Sequence, residues 1–332
     1  MLPKTMNGIL PTGSDPNSES ATPAVPAGPA GSGTKPVRPS VVDLLGPQGR
    51  RFLLAVAVLT LVLVQGWIGI VRGAIADALF SYTILIPFIS GWLVWQRPPL
   101  PRRAPETMPW VGSALLVAAA GCAMAGILAQ RSGAITSTAS WLSTQIAAWV
   151  IAVGGLAALF LGKRWLIEHQ FAVAFLVFTI PIPDPLVAQI EYGLQIASAS
   201  ASEWMFALTR TPYVRNDMAF WLPGVHIQVA PECSGIRSTL VLFITAVLGS
   251  YLLLRHTIHR AAIVLAIVPL GIFRNALRIL TLTLLSVYVN PEIMHSALHR
   301  RGGPLFFAVS LVPLFAMFWW FGRRERSAAK RT

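Results

Sequence analysis

Charge is scarce in this chain: Asp, Glu, Lys and Arg together make up 12% of 332 residues. A soluble domain of this length carries about 25%, so an ordinary water-facing surface cannot be built from this composition. Acidic residues are the scarcer sign, 13 against 26 Lys and Arg. The net charge of +13 invites a nucleic-acid reading. The basic residues, however, stand between hydrophobic runs and at both ends, a distribution that argues against nucleic acid. Cysteine is nearly absent. Cys122 and Cys233 form no spacing pattern, which excludes a disulfide scaffold and a cysteine-built zinc site. No internal repeat is visible.

What is abundant is apolar: 55% of the residues belong to the hydrophobic set. The chain is therefore expected to be an all-α polytopic membrane protein. Its first 40 residues differ, with eight prolines among Ala, Gly, Ser and Thr. Such a segment cannot bury enough surface to offset its ordering entropy. Residues 1–48 read as a disordered cytoplasmic tail. With no early apolar stretch, they do not read as a cleaved signal peptide. Residues 49–322 read as one membrane domain, and 323–332 as a second basic tail.

A span needs about 20 apolar residues. Candidates lie at roughly 52–71, 74–96, 109–129, 141–161, 165–181, 238–254, 261–288 and 304–322, about eight helices. Pro181-Ile182-Pro183-Asp184-Pro185 stops the fifth, because proline removes a donor and restricts the residue before it. Lys and Arg favour the cytoplasmic side. With both termini inside, each short inside loop is basic, as in Arg102-Arg103 and Lys163-Arg164. One large outer segment follows, about 182–237. Its first half, Leu186 to Leu208, is too polar for a span and reads as an amphipathic helix on or dipping into the outer interface. The alternation Val225-His226-Ile227-Gln228-Val229 predicts a short strand or hairpin leading to Cys233.

This topology gathers chemistry at one level. Cys233 sits at the outer mouth of the sixth span, in Pro231-Glu232-Cys233-Ser234-Gly235-Ile236-Arg237. The seventh span carries Arg274, Asn275 and Arg278, with Arg278 about 25 Å along the helix. His295 and His299 precede the eighth span on the same side. Each has a plain alternative: packing for the cysteine, snorkelling for Arg278, interfacial placement for the histidines. Together they suit acyl transfer. A thiol of pKa about 8.5 gains thiolate character beside a cation. A histidine protonates a leaving amine, and an arginine stabilises an oxyanion or positions a carboxylate.

The Glu-Cys-Ser-Gly-Ile-Arg block, then Asn275-Ala276-Leu277-Arg278, then His299 before Gly302-Gly303 and Phe306-Phe307, resemble the exosortase/archaeosortase family across about residues 52–322. The resemblance implies a membrane-embedded cysteine transpeptidase. Cys233 would be the nucleophile, Arg278 the essential arginine, and His299 the acid/base, with His295 one turn earlier as the alternative. Glu232, Ser234, Gly235, Arg237 and Asn275 would support them. It also implies substrates: exported proteins whose C-terminus holds a short motif (often Pro-Glu-Pro), a membrane helix and a basic cluster. The partners expected are these proteins, the lipid bilayer and an acceptor nucleophile; no cofactor and no metal is expected. Two rivals remain. Glu292, His295 and His299, completed by His226 or Cys233, have ligand spacing for a metal-dependent hydrolase. A transporter or assembly scaffold would call for repeats or charged, broken midplane helices.

Overall fold

The computed structural model describes residues 41–76, 81–97, 106–229, 235–290 and 303–329. All of them lie in the compact unit Ser40–Thr332. Of the expected tail, residues 1–48, the first 40 lie outside the described residues, and 41–48 fall in the helix Val41–Val62.

The chain is a helical membrane bundle with one small sheet. Helices α1 (Val41–Val62) and α2 (Val64–Ala76) are followed by α3 (Leu85–Trp95), α4 (Pro109–Arg131) and α5 (Thr138–Phe160). Short α6 (Gly162–Glu168) and α7 (Gln170–Phe175) run into a 3₁₀ turn, Leu176–Thr179. Then come α8 (Asp184–Leu208), strands β1 (Val214–Asn216), β2 (Ala219–Leu222) and β3 (Val225–Gln228), and α9 (Ile236–Leu253), α10 (Thr257–Tyr288) and α11 (Gly303–Ala329).

Five of these helices, α4, α5, α9, α10 and α11, are long and apolar enough to cross a membrane alone. The eight spans expected from the sequence are not all matched by unbroken helices. The first expected span is interrupted at Leu63, where α1 and α2 meet at 72°. Glycine explains where α2 goes after the bend: Gly69 lies against the Leu142 side chain, and a Cβ on Gly66 would stand 3.1 Å from that of Gln145. The fifth expected span is broken too. Gly162 adopts φ +81 with Glu106 O 2.5 Å from where its Cβ would be, and His169 interrupts the helix between α6 and α7. The short α3 is apolar but has 11 residues.

Helices α4 and α5 form a tight antiparallel pair. Gly112 and Gly155 face each other so closely that a Cβ on either would reach the other's carbonyl oxygen at about 3 Å. Small residues in this role are typical of helix contacts in lipid, where dispersion rather than the hydrophobic effect holds helices together. Burial then divides the pair. Most of α5 is buried and most of α4 is not, so α5 is central and α4 peripheral.

Beyond the 3₁₀ turn the chain changes direction by 90° into α8. The corner is pinned to the start of α5: Ser143 donates to the Pro181 carbonyl at 2.7 Å, and the Asp184 N–H donates to Ser140 Oγ at 3.3 Å. The expected amphipathic helix is present, with an unusual distribution. It buries Gln195, Ser198 and Ser202 alongside Ala199, Met205 and Phe206, and exposes Leu186, Ile190, Trp204 and Leu208. The buried side packs on α10, which offers Thr283 and Ser286 from its own buried face.

The three strands make an antiparallel meander in the order β1-β2-β3, starting earlier than the hairpin read from the sequence. Asp217 at φ 54 and Pro223-Gly224, with Gly224 at φ +77, turn the two corners. Phe220, Leu222 and Ile227 point from one face into a core shared with Ala199 and Phe206 of α8 and Ile279 of α10. The sheet is therefore seated on α8 and α10.

The remaining helices close the bundle. Leu242, Ala246, Ile263, Ile267, Leu314 and Phe318 join α9, α10 and α11. At the end of the bundle remote from the sheet, the Glu325 carboxylate accepts the N–H of Arg255 (2.7 Å) and of His256 (3.0 Å), and lies 2.8 Å from His259 Nδ1. It thus satisfies donors that the start of α10 leaves without helical partners. Nearby, Phe171 stacks on Tyr251 at 3.6 Å and Arg260 lies over the same ring, tying α7, α9 and α10 together. The basic stretch that begins at Arg323 is helical over its described part. Helix α11 continues to Ala329, with Arg323 over Trp319 and Arg324 over Trp320.

Candidate active site

The first turn of α9 is built around a glycine. Gly235 occupies the N-cap position at φ 73, in the left-handed region that favours glycine. The absence of a side chain matters as well. A Cβ there would stand 2.8 Å from Arg274 Nη2 and 3.6 Å from the Asn275 amide. The mouth of α9 is thereby pressed against one turn of α10, and the next turn repeats the contact: Gly271 lies against Thr239, with Oγ1 at 2.7 Å from where a Cβ would be.

Arg274 is the centre of this junction. It is 5% exposed, and its Nη2 donates to the Gly235 carbonyl and to Thr239 Oγ1, both at 3.2 Å. Its Nη1 is buried without a hydrogen-bond partner among the described residues. Asn275, 2% exposed, lies on the same turn. Arg278 is one turn further along α10 and half-buried; Arg237 is exposed in the first turn of α9. Gly235, Asn275, Arg274 and the approach to Arg278 thus form one locale at the sheet end of the bundle.

Other site residues named from the sequence lie outside the described residues: Cys233, Glu232 and Ser234, and likewise His295 and His299. Glu292 of the rival metal set does too. Among the described residues there is no group of three His, Cys, Asp or Glu able to hold a metal. His226 is described; it is exposed and tilted against Trp221, ring centres 4.0 Å apart.

A family model for the transmembrane exosortases (Exosortase_EpsH) matches residues 67–316, three quarters of the chain. The chain belongs to the transmembrane exosortase family. Comparison with curated proteins and with solved structures gave no match. The matched span takes in the exosortase helices α3 to α10, the sheet and the Gly235–Arg274 junction.

Reading the sequence gave Arg278 the chemical role and left Arg274 as its neighbour. The buried position of Arg274 and its bonds to Gly235 and Thr239 were missed. A signal existed: Gly235 and Thr239 are four apart, as are Gly271 and Asn275, so each pair shares a helix face. Two such faces with glycines at matching levels describe a close crossing that brings an arginine to a helix mouth.

Proposed function

We propose that this exosortase is a cysteine transpeptidase of the outer face of the cytoplasmic membrane, with both termini cytoplasmic, cleaving C-terminal sorting signals of exported proteins. Cys233 is the nucleophile. Its thiolate attacks the carbonyl carbon of the scissile peptide, Arg278 and N–H groups at the mouth of α9 stabilise the oxyanion, and the C–N bond then breaks. His299, with His295 as the alternative, donates a proton to the departing amine, which stays with the membrane helix of the substrate. The upstream part is left as a thioester on Cys233. An acceptor amine, hydroxyl or water attacks that thioester, gives up its proton to the histidine and frees the thiolate.

The observation carrying this reading is the seat of Gly235 on Arg274 and Asn275. Cys233 is two peptide units from Gly235 in the chain, a reach of at most about 7 Å. Arg278 lies about 6 Å along α10 from Arg274. The Asn-x-x-Arg block and the cysteine block are therefore joined by covalent reach on one side and by close helix packing on the other. Arg274 acts in this scheme as a positioning residue, fixing the carbonyl of Gly235 and hence the turn that carries the nucleophile.

The test uses an exported reporter ending in a Pro-Glu-Pro motif, a membrane helix and a basic cluster, expressed with the chain. Mass spectrometry of the reporter's C-terminus is expected to show loss of the helix with the native chain and retention with Cys233→Ala. Undiminished processing by Cys233→Ala sinks the cysteine mechanism.

A further inference from the structure

A nucleophile that attacks a backbone carbonyl needs the scissile segment held in a fixed, accessible conformation. The sheet carries a surface suited to that task. Opposed residues in an antiparallel pair alternate between those that exchange both hydrogen bonds and those that exchange none. The Val229 N–H donates to the Met218 carbonyl at 2.9 Å, which sets the phase for β2 and β3. With Phe220 opposite Ile227 and Leu222 opposite Val225, residues 225, 227 and 229 turn their backbone groups toward β2. His226 and Gln228 turn theirs away. No strand pairs with that side of β3 among the described residues, and both residues are exposed.

The other edge of the sheet is different. On β1, Arg215 is the residue whose backbone groups face outward, by the same alternation. Its side chain folds back, with Nε donating to the Asp217 carbonyl at 2.8 Å and the guanidinium paired with Glu203. That side chain lies on the sheet face that carries Phe220, with its guanidinium 5.8 Å from the centre of that ring, and it ties this edge to α8. The β3 edge has no such charged tie among the described residues and runs on, five residues later in the chain, to Cys233.

We propose that the outward edge of β3, His226 to Gln228, is the docking edge for the extended segment of the substrate that contains the scissile bond, which joins the sheet as a fourth strand. This rests on the transpeptidase reading above. Backbone pairing of this kind accepts many sequences, while alternate side chains are read by whatever lies on the two faces. One face of the added strand continues the row of Trp221 and His226, and the other continues the side on which Phe220 and Ile227 pack toward α8 and α10.

Gln228→Pro removes an outward donor without breaking the pairing of β3 with β2, because that N–H points away from the sheet. Reporter cleavage is expected to fall about tenfold or more, the scale of a lost backbone hydrogen bond plus steric exclusion. The amount of chain in the membrane and the labelling rate of Cys233 by a small maleimide should stay within about twofold, as they report folding rather than docking. Cleavage at the native rate overturns the proposal. A second arm is independent of cleavage. In a Cys122→Ser, Cys233→Ala, Gln228→Cys chain, single cysteines are scanned through the reporter's motif under mild oxidation. Disulfides at every second position support strand addition. Disulfides at consecutive positions, at none, or only between two copies of the enzyme overturn it. Cleavage by Cys233→Ala alone would defeat the cysteine mechanism while leaving the crosslinking pattern to decide the docking edge separately.

Discussion

Replacing Gly235 by alanine probes the junction at the mouth of α9 through two costs of different origin. The first is conformational: at φ 73 an alanine pays about 1–2 kcal/mol for the left-handed backbone. The second is contact. The new methyl would stand 2.8 Å from Arg274 Nη2, so the guanidinium must swing aside and weaken its two bonds at 3.2 Å to Gly235 and Thr239. Loss of one charge-assisted hydrogen bond is worth about 1.5–3 kcal/mol. Together these give a destabilisation of about 2.5–5 kcal/mol, or a fall in Tm of about 5 °C or more at roughly 2 °C per kcal/mol for a domain of this size. Tryptophan fluorescence of the detergent-solubilised protein follows the transition, using its 11 tryptophans. Gly235→Asn should recover about 1 kcal/mol, since asparagine tolerates this backbone region, yet keep the contact cost. With Arg274→Lys as the background, alanine at 235 should cost less than in the native chain, because the group it displaces has gone. A Gly235→Ala protein melting within about 1 °C of native, or strict additivity in the double variant, refutes the reasoning.

Three further outcomes follow from the geometry. Glu325→Ala leaves the Arg255 and His256 N–H groups and the His259 ring without their acceptor, and should destabilise the solubilised protein by about 2–4 kcal/mol, with Glu325→Gln less harmful, as read by thermal unfolding. Gly126→Val forces a branched side chain onto Thr144 where α4 meets α5, and should sharply lower the amount of protein recovered in monodisperse form. Arg274→Met is expected to reduce reporter cleavage about tenfold or more through loss of the Gly235 carbonyl bond. Arg274→Lys should restore part of that loss; equal loss in both variants would argue against a positioning role.

The long helices could be read from the sequence because the bilayer imposes a length. Runs such as Pro109–Arg131 and Ile236–Leu253 have no other stable solution in lipid. The turn before Cys233 was readable as well, since Val225-His226-Ile227-Gln228 alternates with period two and Pro223-Gly224 precedes it. The break at Leu63 was not. Nothing local marks it, and α2 leaves the line of α1 to bring Gly66 and Gly69 against α5, a contact made with residues about 75 positions later. The same limit hid Arg274. Sequence spacing puts two arginines on one helix face, but which of them meets Gly235 depends on how α9 and α10 cross. The outward greasiness of α8 was also invisible. A pattern of polar and apolar positions gives an amphipathic helix, without saying that its hydroxyls would be the buried side.

A helix with apolar side chains outward and hydroxyls inward has a mechanical consequence. Its outward Leu186, Ile190, Trp204 and Leu208 favour the acyl and headgroup boundary, while its other face, with Gln195, Ser198 and Ser202, is buried in the bundle, so it can neither sink nor lift without exposing one set to the wrong medium. The sheet stands on it through Phe206 and Phe220, at a level set by this floor. Under the docking proposed above, an extended segment would meet β3 at a constant height, and the residues between a substrate's own membrane helix and its cleavage point would act as a tether of limited length. Cleavage would then be measured from the bilayer upward, and lengthening that tether by a few residues should move the cut along the chain by the same number.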